Sequence, residues 1–258
     1  MQTVWDDWIF WMGLVYVTFP LNFFVYGWND IVDHPIDKAN PRKDTWLFGA
    51  RASLDQLKKV PVPMVLVQVP FLTFFLLVDL VAGLITIAGI FGVNFLYNDR
   101  RVALRSRPPF DLINPLGYLI LLYLGVWLNQ TLWVPWQAVV YLGMFCMHAH
   151  LMGEVMDYYA DKASGRTTSV VRLGMQLSKI LIIVMVVAET VLVWWAFADF
   201  WLTGFLLVVL LWLLLDLLVL YREGEYTPSQ YKLLGVFINI SGYGSISYLW
   251  LSGSLTRL

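Results

Sequence analysis

The chain has 258 residues, 59% hydrophobic and 14% charged, with a mean hydropathy of +0.68. Soluble domains carry about 25% charged residues, so the composition excludes an ordinary globular enzyme and points to a protein that crosses the bilayer many times. A net charge of −1 argues against a nucleic-acid partner, and the single cysteine, Cys146, excludes both an intrachain disulfide and a Cys/His zinc site.

The first residues are acidic (Asp6, Asp7) and lack a basic run, so no cleavable signal peptide is predicted. A spanning helix needs about 20 mostly apolar residues. Residues 8–28 supply the first, interrupted only by Pro20 and Asn22. A polar segment follows over 29–59. Its second half mixes Trp46, Leu47, Phe48, Leu54 and Leu57 with Arg51, Asp55, Lys58 and Lys59, which suits either a short helix lying at the interface or an ordered surface loop. Residues 60–97 form an apolar block of nearly double length, predicted to be a helical hairpin turning near Asp79. Beyond the basic loop 98–111 come spans at 112–129, 136–156, 180–198, 200–221 and 231–252. The expectation is an all-α bundle of about eight membrane helices, forming one domain over 1–258.

The basic residues support that count. With eight spans, 16 of the 17 Lys and Arg residues fall on connections at one face, and only Arg257 falls on the other. Cytoplasmic connections carry the excess of Lys and Arg, so this face is predicted to be cytoplasmic in a bacterial or archaeal cell membrane, with both termini outside.

Two acidic clusters lie on connections of this face. Asn29, Asp33 and Asp37 stand four residues apart, with Arg42 and Lys43 close behind. On a helix each four-residue step advances about 40°, so the three share a side. Pro35 is expected to break the helix near His34 and leave the carboxylates at a helix end. The second cluster holds Glu154, Asp157 and Asp161, the two aspartates again four apart. Carboxylates near the bilayer are costly and persist where they pair or face a hydrated cavity. Two clusters of oxygen donors suit magnesium, which takes one or two carboxylates and completes its shell with water and phosphate oxygens. The plainer alternative is that the carboxylates only pair with nearby arginines to close the loops. His148 and His150 lie two apart and point to different faces, so they make a poor metal pair. An ordinary hydrogen-bonded intramembrane histidine is the first reading, with projection of His148 into the cavity, nine residues before Asp157, as the alternative; His34, within the first motif, has no assigned role.

Asn29-Asp30-Ile31-Val32-Asp33, then Asp37 and Arg42, and later Asp157-x-x-x-Asp161 with Gly165 and Thr167, resemble the UbiA superfamily of membrane prenyltransferases. The resemblance implies an all-helical bundle with two aspartate-rich motifs on its cytosolic side. It also implies Mg2+-dependent transfer of an isoprenoid group from a prenyl diphosphate donor to a lipophilic acceptor within the membrane lipid. Carried onto this chain, it makes Asp33, Asp37, Asp157 and Asp161 the catalytic metal carboxylates, with Asn29, Asp30 and Glu154 as further metal candidates. Asn29, Arg42, Lys43, Arg101 and Lys162 would bind the diphosphate. Tyr97, in a Tyr-x-x-x-Arg pair with Arg101, is the candidate to stabilise the allylic cation.

Two departures stand out. One predicted span precedes the first motif where the family usually has two, a difference expected to leave one wall of the bundle open or filled by a partner protein. Gly153 stands where some members carry Asn, and Glu154 is the candidate to compensate. The phrases Asn40-Pro41-Arg42-Lys43 and Gly165-Arg166-Thr167-Thr168 lean towards the carotenoid-elongating branch, with quinone, chlorophyll-type, haem and glycerolipid acceptors open. A CDP-alcohol phosphotransferase would need an Asp-Gly-x-x-Ala-Arg start, which the sequence lacks. The alternative outside enzymology is a catalytically silent lipid-binding or assembly subunit of the same fold.

Overall fold

The computed structural model describes residues 6–38, 40, 43–44, 51–128, 134–220, 224–253 and 255. Arg42, Trp46, Leu47, Phe48 and Arg257 lie outside these. All regular structure among the described residues is helical. The chain divides into two compact units: 1–38 with 51–104 and 117–133, and 39–50 with 105–116 and 134–258.

In the first unit, α1 (Trp8–Thr18) and α2 (Pro20–Asp37) form one apolar stretch bent at Phe19. Pro20 has no N–H to give back to the preceding turn. The bend is mended by Asn22, whose amide donates to the carbonyls of Val17 and Thr18 at 3.0 and 3.2 Å. The expected break near His34 does not occur, because α2 stays helical through Pro35 to Asp37. Pro35 lies in the last turn, so its missing N–H forfeits a single ladder bond and little helix follows for its ring to disturb.

A one-turn helix, α3 (Leu54–Leu57), stands where the interfacial helix was one of two readings. It opens with a reciprocal capping box between Ser53 and Gln56. Next come α4 (Pro61–Leu66) and α5 (Val69–Val78). Gln68, between them, is 1% exposed and donates to the carbonyls of Pro20 and Met64. The hairpin turns at Asp79 as expected. Asp79 is extended and its carboxylate accepts from the Ala82 N–H at 2.9 Å, capping α6 (Leu80–Asn98). Gly83 permits this close return, since a Cβ there would sit 2.9 Å from the Leu76 backbone. With α8 (Leu119–Leu128), these helices enclose a core of Tyr16, Leu21, Phe24, Met64, Phe75 and Ile90.

The second unit contains α7 (Phe110–Ile113), α9 (Trp136–Ser164), α10 (Ser169–Leu173), α11 (Met175–Phe197), α12 (Phe200–Leu215) and α13 (Pro228–Ser252). Glycines punctuate the chain where a left-handed or otherwise open backbone is needed. Gly165 (φ +76°) ends α9, and Gly174 (φ +87°) separates α10 from α11. Asp199 caps α12 through the Leu202 N–H at 2.9 Å and also accepts from the Tyr248 hydroxyl at 2.8 Å. Trp194, Trp195, Phe200 and Trp201 around this turn are more than half exposed, the aromatic girdle expected where helices leave a bilayer.

Among the described residues, seven helical stretches are long and apolar enough to cross a membrane, against about eight expected. The eighth predicted stretch, 231–252, is helical within the 25 residues of α13. It is long enough but less apolar, because Asn239, Ser241, Ser245 and Ser247 interrupt it.

Candidate functional site

The first motif lies in the first unit on the last two turns of α2. Asn29, Asp30, Asp33 and Asp37 are half-buried, and the backbone carbonyl of Asp37 accepts from Arg51 Nε at 3.1 Å. The Asn29 Oδ1 is fully enclosed and accepts no hydrogen bond among the described residues. His34, on the next turn, is 8% exposed. Tyr97 is half-buried in the last turn of α6 and Arg101 is exposed beyond it, its N–H held by Asp99 at 2.9 Å.

The second motif occupies the last turns of α9 in the second unit. Asp157 is half-buried, and its Oδ1 accepts from the Asn40 amide at 2.8 Å. Asn40 is 3% exposed and lies 117 residues away in sequence, only three after Asp37. Asp161 is 2% exposed, and Arg166 NH1 approaches it at 3.5 Å. Glu154 is 7% exposed. It accepts from the Val170 N–H at 3.4 Å and faces His150 Nε2 at 3.3 Å. Lys162 is exposed, its ammonium 5.4 Å from the Tyr158 ring centre. Lys43 is half-buried, and Arg42 lies outside the described residues.

Three residues given no site role at the sequence level, Asp111, Arg166 and Lys179, make buried polar contacts in this unit. Asp111 is fully buried and accepts from both the backbone N–H and the hydroxyl of Ser169. Arg166 also donates to the Arg105 carbonyl at 3.4 Å. Lys179 pairs with Asp216 at 2.8 Å, both nearly inaccessible, and the Tyr226 hydroxyl closes on the same carboxylate. Asp111 and Ser169 thus join α7 to the start of α10, while Lys179, Asp216 and Tyr226 join the start of α11 to the residues that follow α12.

The UbiA prenyltransferase family profile matches residues 1–240. The chain belongs to the UbiA prenyltransferase family. A lycopene elongase/hydratase of Corynebacterium glutamicum is 49% identical over 37 residues, which cover 14% of this chain and 13% of that protein. A lycopene elongase/hydratase of Haloarcula japonica is 27% identical over 160 residues, 62% of this chain. The match spans about half, 53%, of that relative's length. No solved structure matches.

UbiA enzymes typically use magnesium. Among the described residues, no three His, Cys, Asp or Glu side chains converge on one point. The donors nonetheless fit this ion. They are all oxygens, one of them the unspent Asn29 Oδ1, and magnesium asks the protein for only one or two carboxylates when substrate phosphate supplies the rest.

Proposed function

We propose that the protein transfers an isoprenoid group from an allylic prenyl diphosphate to a lipophilic acceptor within the membrane, with a carotenoid as the acceptor class. The observation that carries this reading is the Asn40–Asp157 hydrogen bond. It ties the segment just after the first acidic motif to the carboxylate of the second. The acceptor class rests on the two relatives, both named lycopene elongase/hydratases, and on the Asn40–Lys43 and Gly165–Thr168 phrases.

In this reading Asp33 and Asp37, with Asn29 and Asp30, and Asp157 and Asp161, with Glu154, are the candidate magnesium ligands. On α9, Asp157 is the most accessible of them, since Glu154 and Asp161 are enclosed beside His150 and Arg166. Bound magnesium supplies neutralisation of the charge that grows on the departing diphosphate. Asn40 fixes the Asp157 carboxylate so that little reorganisation is needed during the reaction. Arg42, Lys43, Arg101 and Lys162 meet the diphosphate oxygens, arginine with a planar fork suited to them. The Tyr97 ring offers its face to the allylic cation. A double bond of the acceptor then supplies the electron pair for the new carbon–carbon bond, and loss of a proton from the alkylated acceptor restores neutrality. The site opens to the cytoplasm.

The test is diphosphate release by purified protein in lipid nanodiscs supplied with geranylgeranyl or dimethylallyl diphosphate, a lycopene acceptor and Mg2+. Release should require the metal. Asp33→Asn and Asp157→Asn should each lower it about 100-fold or more, the scale of losing one preorganised electrostatic contact. A wild-type protein that binds donor and never releases diphosphate would instead be the silent subunit.

A further inference from the structure

The second unit contains a cavity of about 170 Å³ bounded by α9, α11, α12 and α13. On α9 it is lined by Tyr141, Phe145, His148, Met152 and Met156. Their spacings of four, three, four and four place them on one side of the helix. Asp157 and Asp161 begin one residue later and are turned by about 100° from that side. The cavity therefore belongs to a different face of α9 from the carboxylates.

Its wall is apolar except at a few points, and one of these, His148, carries an unspent polar atom. His148 lies where its Nδ1 is 2.6 Å from Glu189 Oε1, and Glu189 is fully buried in the middle of α11. Its Nε2 makes no hydrogen bond among the described residues. Trp212 stacks on Phe237 with ring centres 4.6 Å apart, and its buried Nε1–H has no acceptor among the described residues. A histidine–glutamate pair inside a membrane helix is expensive and points to a function. Pinning α9 to α11 would not require the imidazole to stand at a cavity wall.

We propose that this cavity is a second ligand site, separate from the acidic motifs, that takes the end of an apolar chain bearing a hydroxyl group. A hydroxyl both donates and accepts, so it meets His148 Nε2 in either tautomer. The volume sets the size. An engineered cavity of about 150 Å³ holds benzene, so this one holds the last five or six carbons of a chain rather than a whole polyene. Isoprenoid and straight acyl chains share this chemistry, and the experiment separates them.

The experiment is photolabelling of the full chain in nanodiscs with a diazirine analogue of geraniol, followed by peptide mapping. Geraniol, a straight-chain alcohol of equal length and the hydrocarbon with the geraniol skeleton serve as competitors. Labels should concentrate on the α9 and α12 peptides that line the cavity. A Cβ at Gly242, which also lines it, would meet nothing within 4 Å, so Gly242→Leu is the substitution chosen to fill the space. That variant, and Ser241→Leu as a second, should abolish the concentrated labelling. Geraniol should compete about ten-fold better than its hydrocarbon, the worth of one hydrogen bond to an otherwise unspent ring nitrogen, and His148→Phe combined with Glu189→Leu, which leaves no carboxylate unpaired, should erase that margin. Stronger competition by the straight-chain alcohol would assign the site to acyl chains. Labels spread over lipid-facing residues and indifferent to Gly242→Leu would overturn the proposal. Diphosphate release measured on the same nanodiscs reports on the transferase reading by itself, so either idea can fail alone.

Discussion

At the scale of single residues, the Asn40–Asp157 contact is where the proposed role of the second motif is most directly testable. A carboxylate that must hold a metal against a leaving group gains from a fixed donor on one oxygen, because the other lone pairs are then aimed in advance. Asn40→Ala should leave the fold intact and lower magnesium-dependent diphosphate release about 10–100-fold, the usual cost of losing a partner that orients a metal ligand. The loss should shrink as magnesium is raised, which a titration of rate against metal concentration would show. A rate unchanged at low magnesium would mean that Asn40 does no more than close its loop. The carboxylates were legible in the sequence as a pattern, since a four-residue spacing repeated in two clusters of an apolar chain is visible in one dimension, and the structure adds their helical placement rather than their role. Asn40, Asp111 and Arg166 were not legible. Their roles depend on partners 117, 58 and 61 residues away, and nothing in their local sequence names those partners.

At the scale of elements, aspartates do much of the work that the composition makes look anomalous. Asp79 and Asp199 sit between long apolar helices where charge is expensive, yet each caps the helix that follows it. The turn at Asp79 was legible because a doubled apolar block is twice the length of one span, and its single central carboxylate is least costly where the chain reaches water. The straight passage of α2 through Pro35 was not, because the cost of a proline depends on how many turns follow it, and here almost none do. The two caps also differ in their surroundings, since Asp199 additionally binds the Tyr248 hydroxyl of α13. Asp199→Ala should therefore cost more than one cap, about 1 kcal/mol for the helix start and about 1.5–3 kcal/mol for the lost hydrogen bond to a carboxylate. Asp199→Asn should recover most of it. Thermal unfolding in detergent, with Asp79→Ala alongside as the cap-only control, would measure the difference.

At the scale of the whole molecule, the direction of insertion is written in charge rather than in packing. Sixteen of the 17 Lys and Arg residues lie on alternate connections, while the α11–α12 turn carries Trp194, Trp195, Phe200 and Trp201 and no basic residue. A translocating chain keeps basic segments on the cytoplasmic side because the membrane potential opposes their transfer. One candidate helix, α13, is less apolar than the rest, and the bias tests whether it crosses. If it spans, Lys232 at its start belongs with the basic connections and Arg257 beyond its end is the lone exception. If it does not, both lie on the basic side and the asymmetry is complete. Single cysteines placed at Arg107 and Trp201, both exposed, in a chain with Cys146 replaced should label from opposite sides of sealed inverted vesicles. Position 107 should react with an impermeant maleimide added outside such vesicles, and position 201 only after they are opened. A third cysteine at Leu251, 72% exposed near the end of α13, separates the alternatives. Protection matching that of position 201 makes α13 a span and the count eight, whereas free reaction alongside position 107 returns the chain to seven.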